Sequence, residues 1–441
     1  MKELLSKFLF WRVKHVSNKN FVLILSGVVG IFSGFAAVLL KESVHHLTAF
    51  LSRGFNKITD HFYYFAFPLV GILITVIISR YLLKERLGHG ISNILFDISQ
   101  NSGIIKARKM WDRMVTSTFT VGFGGSVGLE APIVVTGSAL GSNIGQLMHQ
   151  DYRRRTLLIG CGAAGAIAAI FNSPIAGVIF SIEVILADIT ISSFIPLLIA
   201  SVAGSLISLA LLGDDVLFSF QMVDPFQAAD TPWYILLGVI CGFVSLYFTR
   251  VLYRVEPFLK SVNNYVSRGA IGGGILALII LVFPPIYGEG YDTIKLLLSG
   301  REDLLTFNTS FFSDSGVPFL LVFMLLLILV KPIASSLTIG AGGSGGIFAP
   351  SLFLGGITGF LFAKATNYVF VSKVMSLSNF TLVGMCGVMS GVLHAPLTAI
   401  FLIAEITSGY TLFVPLMIVS AISYNTISYF EKYSVYTKKL I

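Results

Sequence analysis

Apolar positions in this chain gather in stretches about 20 residues long, the length a helix needs to cross a bilayer. They begin near Phe21, Phe67, Met114, Thr156, Phe194, Trp233, Ile271, Pro318, Ile347, Phe380 and Tyr410. The pattern predicts an all-α polytopic membrane protein. The last stretch runs to about Ile427 and only residues 428–441 follow, so no cytosolic regulatory module is expected. A polar stretch at Gly213–Thr231, carrying Asp214, Asp215, Asp224 and Asp230, interrupts the pattern and marks the best boundary. The expected organisation is an N-terminal segment 1–19, a first transmembrane repeat 20–212, a linker 213–232, and a second repeat 233–441 with a short cytoplasmic C-terminus.

Composition agrees with a membrane protein and excludes an ordinary cytosolic enzyme. Of 441 residues, 55% are hydrophobic and 12% charged, about half the charged share of a soluble domain. Mean hydropathy is +0.85. The 43 glycines fit membrane helices, where they let backbones approach closely. Net charge is +8, placed mostly in loops and ends such as Arg153, Arg154, Arg155, Lys432, Lys438 and Lys439. Basic residues flanking spans are the positive-inside signal, so nucleic acid is not expected as a partner. Five basic residues within Met1–Lys19 and the terminal lysines put both ends in the cytoplasm and make the number of crossings even.

The first residues read as an interfacial amphipathic helix, with Leu4, Leu5, Phe8, Leu9 and Trp11 on lipid and Lys7, Arg12 and Lys14 among headgroups. Cys161, Cys241 and Cys386 lie in apolar segments without CxxC spacing and read as packing residues. No metal site and no cofactor are expected.

The chain repeats itself. Gly124-Gly125-Ser126-Val127-Gly128-Leu129-Glu130-Ala131-Pro132 aligns without a gap on Gly342-Gly343-Ser344-Gly345-Gly346-Ile347-Phe348-Ala349-Pro350, an offset of 218, and Gly137 and Gly141 match Gly355 and Gly359. Gly165, Pro174 and Glu183 match Gly387, Pro396 and Glu405 at an offset of 222. An odd number of crossings in each half would invert the second against the first, the plan of transporters whose site lies at the repeat interface.

Glycine-rich backbone at membrane depth cannot face lipid, because each unsatisfied amide there costs several kcal/mol. In both segments the glycines lead into an apolar run with a proline in its first turn, which predicts a helix starting inside the membrane. Such a start carries free N–H groups and about half a positive charge, which attract an anion and repel a cation. The plainer alternative is glycine-mediated helix packing, and two copies of a nine-residue pattern, one bearing an acid, argue against it. Glu130 is the expected gate. A membrane-embedded acid is a functional residue by default, and in a first helical turn its carboxylate stands in for the anion. Protonation would neutralise and release it, which links anion passage to proton uptake.

At these residues the chain resembles the CLC family of chloride channels and proton/chloride antiporters. The family's GSGIP, GxEGP and GxFxP signatures occur in order as Gly88-His89-Gly90-Ile91-Ser92, Gly128-Leu129-Glu130-Ala131-Pro132 and Gly346-Ile347-Phe348-Ala349-Pro350. The resemblance covers nearly the whole chain and implies a CLC-type inverted repeat with broken intramembrane helices, acting as a homodimer with one anion path per subunit. It puts Glu130 on the gating glutamate and the amides of Leu129, Glu130, Ile347 and Phe348 on the anion-coordinating helix ends. His89 and Gly90 fall on the first signature. Tyr436 falls on the tyrosine facing the central anion, with Tyr433 as the neighbouring candidate.

Four departures bear on mechanism. His89 replaces the usual serine and leaves chloride, fluoride or nitrate preference open, while Ser92 replaces the proline. Leu129 and Ala131 stand beside the acid where arginine and glycine are common. Val184 occupies the position of the internal proton-passing glutamate, with Glu183 one residue before it and about 100° away around a helix. Glu183 and its repeat mate Glu405 read as structural residues at helix ends, and Lys331 and Asp188 as interfacial residues at span edges. Absence of HExxH, paired intramembrane aspartates and GxSxG with a histidine argues against an intramembrane enzyme, and helix N-termini argue against a cation-coupled solute carrier. The expected function is chloride transport in a prokaryotic plasma membrane, with proton-coupled exchange favoured and a gated passive channel as the alternative.

Overall fold

The computed structural model describes residues 2–53, 64–84, 90–186, 191–213, 225–302, 305, 316–370, 375–407 and 410–438. Gly88, His89, Asp188, Lys439 and linker residues 214–224 lie outside them. In chain order the described helices are α1 (Lys2–His15), α2 (Asn18–Ser52), α3 (Phe67–Ile77), α4 (Gly90–Gln100), α5 (Asp112–Gly122), α6 (Glu130–Leu147), α7 (Tyr152–Phe171), α8 (Pro174–Phe180), α9 (Ile191–Leu212), α10 (Thr231–Lys260), α11 (Tyr265–Val282), α12 (Tyr291–Leu298), α13 (Val317–Gly340), α14 (Phe348–Val369), α15 (Leu377–Leu393), α16 (Pro396–Ile406) and α17 (Phe413–Phe430). π-helical turns at Ile78–Leu82 and Ser181–Ile185 extend α3 and α8.

Eight of these are long and apolar enough to cross a membrane, and they answer to eight of the eleven expected stretches. The other three are corrected. The stretch from Phe67 is a helix of Phe67–Leu82, and that from Phe380 is Leu377–Leu393. The stretch from Met114 breaks after α5, where Gly124 takes φ +86, and resumes at Glu130. Two short helices were not anticipated, Pro174–Ile185 and Pro396–Ile406. Both arise alike: Asn172 (φ +53) ends α7 and His394 (φ +54) ends α15 in the left-handed conformation, and a proline at the first helical position restarts the chain two residues later.

The chain forms two compact units. The first comprises Met1–Leu39, Ile91–Arg113 and Ile133–Asp214. Its helices touch through backbone: a Cβ on Gly137 would lie 2.2 Å from Gly162 O, and one on Gly162 1.9 Å from Gly137 O. Lys109 pairs with Asp97 at 2.7 Å. Arg12 departs from its expected headgroup position: it is buried, with the guanidinium 4.0 Å above the Phe21 ring. That contact removes cation and ring face from water together. Phe8 and Trp11 are exposed.

The second unit comprises Leu40–Gly90, Met114–Pro132 and Asp215–Ile441. It repeats the glycine device, with Gly355 and Gly384 each placing a Cβ within 2.4 Å of the other's carbonyl oxygen. Stacked Tyr234 and Phe380 rings, 4.4 Å apart, join α10 to α15. All three cysteines are buried free thiols, consistent with packing.

Candidate functional site

Both glycine stretches lie in the second unit, and they clasp each other with two-fold reciprocity. Gly128 N donates to Gly346 O at 2.9 Å, and Gly346 N donates to Gly128 O at 2.8 Å. Ser126 N donates to Thr338 Oγ1 at 3.2 Å, and its repeat mate Ser344 N donates to Thr120 Oγ1 at 2.9 Å. A Cβ on Gly128 would meet Ala349 and one on Gly346 would meet Ala131, again equivalent pairs. Where residue i contacts j's repeat mate and j contacts i's, the elements are related by a local two-fold. The glycines are required here because Gly124 and Gly342 take φ +86 and +107, and because any side chain at Gly128 or Gly346 would separate the strands of the clasp.

Out of this clasp start α6, at Glu130, and α14, at Phe348. The first amides of each helix lack helical partners. Ile347 precedes α14, while Pro132 and Pro350 are the third residues of α6 and α14, where no helical N–H bond is lost. The predicted helix starts are therefore in place.

Glu130 is 2% exposed. Its side chain curls back so that Oε2 lies 2.0 Å from where a Gly128 Cβ would be; any other residue there would expel it. Oε1 accepts from the Tyr291 hydroxyl. Oε2 accepts no hydrogen bond of good geometry among the described residues, while the N–H groups of Glu130 and Ala349 point toward the carboxylate. The acid on one helix thus occupies the start of the other. Tyr436 is 3% exposed and near enough to Glu130 to interact electrostatically, whereas Tyr433 is 48% exposed.

Besides Tyr291, two further groups here were not anticipated. Glu289, half-buried, accepts from Leu129 N at 3.1 Å, so the amide expected to face an anion already faces a carboxylate. Lys331 is corrected: it is fully buried rather than at a span edge. It sits within α13, and its Nζ donates to Ile286 O at 3.3 Å and Gly288 O at 3.1 Å, 4.7 Å from the Phe353 ring centroid. A buried ammonium needs such acceptors. The available signals were an acid between two glycines, Gly288-Glu289-Gly290, and a lone lysine inside a long apolar run.

Of the remaining expected residues, Gly90 opens α4 and is buried, while Gly88 and His89 lie outside the described residues. In the first unit, Val184 and Glu183 sit half-buried in the π-helical turn after α8. Glu405 lies in the last turn of α16.

Comparison with known proteins fits this arrangement. The Voltage gated chloride channel family matches residues 70–428. The H(+)/Cl(-) exchange transporter ClcA of Vibrio cholerae is 28% identical over 420 residues, covering 90% of this chain and 84% of that protein. Among solved structures, a slow cyanobacterial Cl-/H+ antiporter superposes with a TM-score of 0.81 at 20% identity, over 96% of this chain and 98% of the other. A CLC-type fluoride/proton antiporter gives 0.76 at 22% identity, over 95% and 97%. At these identities the structural likeness shows a shared fold. The family match spans most of the sequence and includes both glycine signatures that clasp in the structure, so the chain belongs to the voltage-gated chloride channel, or CLC, family.

Proposed function

We propose that this protein moves chloride, or a similarly small anion, across a membrane in exchange for protons, with Glu130 as the gate. The observation that supports this most is the position of its carboxylate: buried at the meeting of two helix starts, it fills the place a bare anion would take. An anion leaving water loses tens of kcal/mol of solvation, and several amides with a hydroxyl are the means of replacing it. In this reading the amides of Leu129, Ile347 and Phe348 and the hydroxyl of Tyr436 face the path. Protonation removes the charge that holds Glu130 against the α14 start, the side chain swings away, and the anion enters. Since Val184 stands at the usual internal carboxylate position, protons reach Glu130 without a carboxylate there, with Glu183 beside the route.

The proposal extends to architecture. Residues 20–212 and 233–441 form two oppositely oriented repeats joined by 213–232, two copies of the chain associate, and both termini face the cytoplasm of a prokaryotic cell. The ClcA relative is named an exchanger, which favours coupling over the passive channel.

Purified protein in liposomes tests the coupling. A chloride gradient should drive protons uphill, with proton movement tracking chloride. Fast chloride flux with no proton movement would leave the passive channel instead. A second expected result concerns Tyr291: its replacement by Phe removes a hydrogen bond to a charged group, worth about 1.5–3 kcal/mol. Tyr291→Phe should therefore loosen the closed gate and raise chloride flux about tenfold or more at neutral pH. Unchanged flux would mean that the hydroxyl does not hold Glu130 shut.

A further inference from the structure

The clasp brings two helix starts together, and each is already faced by a carboxylate of the chain itself. Glu130 leans toward the amide of Ala349 at the start of α14. Glu289 accepts from the amide of Leu129 immediately before α6. These amides belong to the two signature segments that repeat each other, so the site is stoppered on both repeats although only one repeat carries an acid in its motif. We infer that Glu289 is a second internal gate, competing with the transported anion for the Leu129 amide and giving way when it is protonated.

The surroundings of Glu289 fit a held but displaceable group. The residues bearing charge toward it are Glu130 on α6, Tyr291 on α12, Lys331 on α13 and Lys41 on α2. The two lysines attract the carboxylate electrostatically and Glu130 repels it. Lys331 is anchored by the carbonyls of Ile286 and Gly288, the second being the residue before Glu289, so the cation is fixed beside the loop that carries the acid. Lys331 acts on Glu289 electrostatically, while the hydrogen bond of the carboxylate goes to the Leu129 amide. Gly290 follows with φ +91 and turns the chain at once into α12. That short turn sets Glu289 and Tyr291 against the two sides of one motif: Leu129 N for the first, Glu130 for the second. The step is simple in its balance. Glu289 takes one proton, its bond to Leu129 N–H loses charge assistance and about half its strength, and the N–H becomes a donor to the anion.

This inference rests on the anion-transport reading, and its test separates the two. Chloride efflux from liposomes is measured between about pH 5 and pH 7.5, a range over which carboxyl groups with raised affinity for protons change charge while ordinary ones stay ionised. The variants are E130Q, E130Q/E289Q and E130Q/E289Q/K331M. With Glu130 already neutral, E130Q should still carry more chloride as pH falls, by about threefold or more across the range, since Glu289 is the acid still bonded to the clasp among the described residues. E130Q/E289Q should be flat, at the level E130Q reaches only in acid. If E289Q leaves buried Lys331 uncompensated and the protein does not fold, the triple variant removes both charges and carries the same expectation. A flat profile in E130Q overturns the second gate, as does a slope that survives E289Q or E289Q/K331M. Absence of chloride flux in the unaltered protein would instead overturn the transport reading itself.

Discussion

Glu130→Gln should abolish chloride-driven proton movement completely while chloride continues to flow. The carboxylate is the one acid within the repeated signature, and it lies against the start of the opposite helix with Tyr291 donating to Oε1. Glutamine has the same length and shape, so the fold and the Tyr291 hydrogen bond are kept. What it lacks is the ability to carry a proton and the charge that binds it to two helix dipoles. A neutral side chain loses most of the attraction of about half a charge at each helix start, so the gate stands open more of the time. Chloride flux at neutral pH should therefore rise as proton pumping falls to zero. The sign follows from protonation: in the unaltered protein, acid favours the released gate, and E130Q mimics acid at every pH as far as this residue is concerned. The check is paired recording of chloride and proton movement from the same liposomes. Proton pumping that survives the substitution would remove Glu130 from the coupling mechanism.

The second large effect is structural. Gly384→Ala should strongly destabilise the fold, and Gly355→Ala should do the same. A Cβ at Gly384 would lie 2.4 Å from Gly355 O, and one at Gly355 would lie 2.3 Å from Gly384 O. The obstructing atoms are backbone, so no rotamer change relieves the clash, and α14 and α15 must separate by about 1 Å along their whole contact. Overpacking of this kind costs about 1–3 kcal/mol when side chains can adjust and more when they cannot. The separation would also reach Glu130, since α14 begins at the clasp. Gly274 is the natural comparison, because nothing lies within 4 Å of a Cβ there, and Ala is preferred to Gly in a helix by about 0.5–1 kcal/mol. Thermal unfolding of the purified variants in detergent should show G384A and G355A strongly lowered and G274A unchanged or raised. A stable G384A protein with normal flux would mean that the two helices are not in backbone contact.

What the sequence made legible is what its own spacing encodes. The two helix starts were readable because an offset of 218 aligned nine residues without a gap, and Glu130 stood out as an acid inside one copy. Helix length was less legible: apolar runs from Phe67, Met114 and Phe380 were long enough on paper, but the left-handed residue at His394 and the glycine turn after α5 cut them. Asn172 and His394 carry the signal that explains the restarts at Pro174 and Pro396, though neither residue type is reserved for that conformation. Glu289 and Lys331 escaped for a different reason. Glu289 lies 160 residues from Leu129 along the chain, and Lys331 finds its carbonyls more than 40 residues away. Their environment is a product of the folded arrangement, so reading each residue beside its neighbours placed them at an edge or overlooked them.

The reciprocal bonds between Gly128 and Gly346 have a mechanical consequence. A carrier that alternates by rocking needs a seam along which its two parts slide, and here the two glycine stretches of the second unit are riveted to each other by main-chain bonds with threonine caps on either side. Moving the rivet would break four hydrogen bonds among buried residues. On the proposed reading, the working cycle is therefore expected to turn on the swing of side chains and the arrival of protons rather than on sliding of the clasped segments.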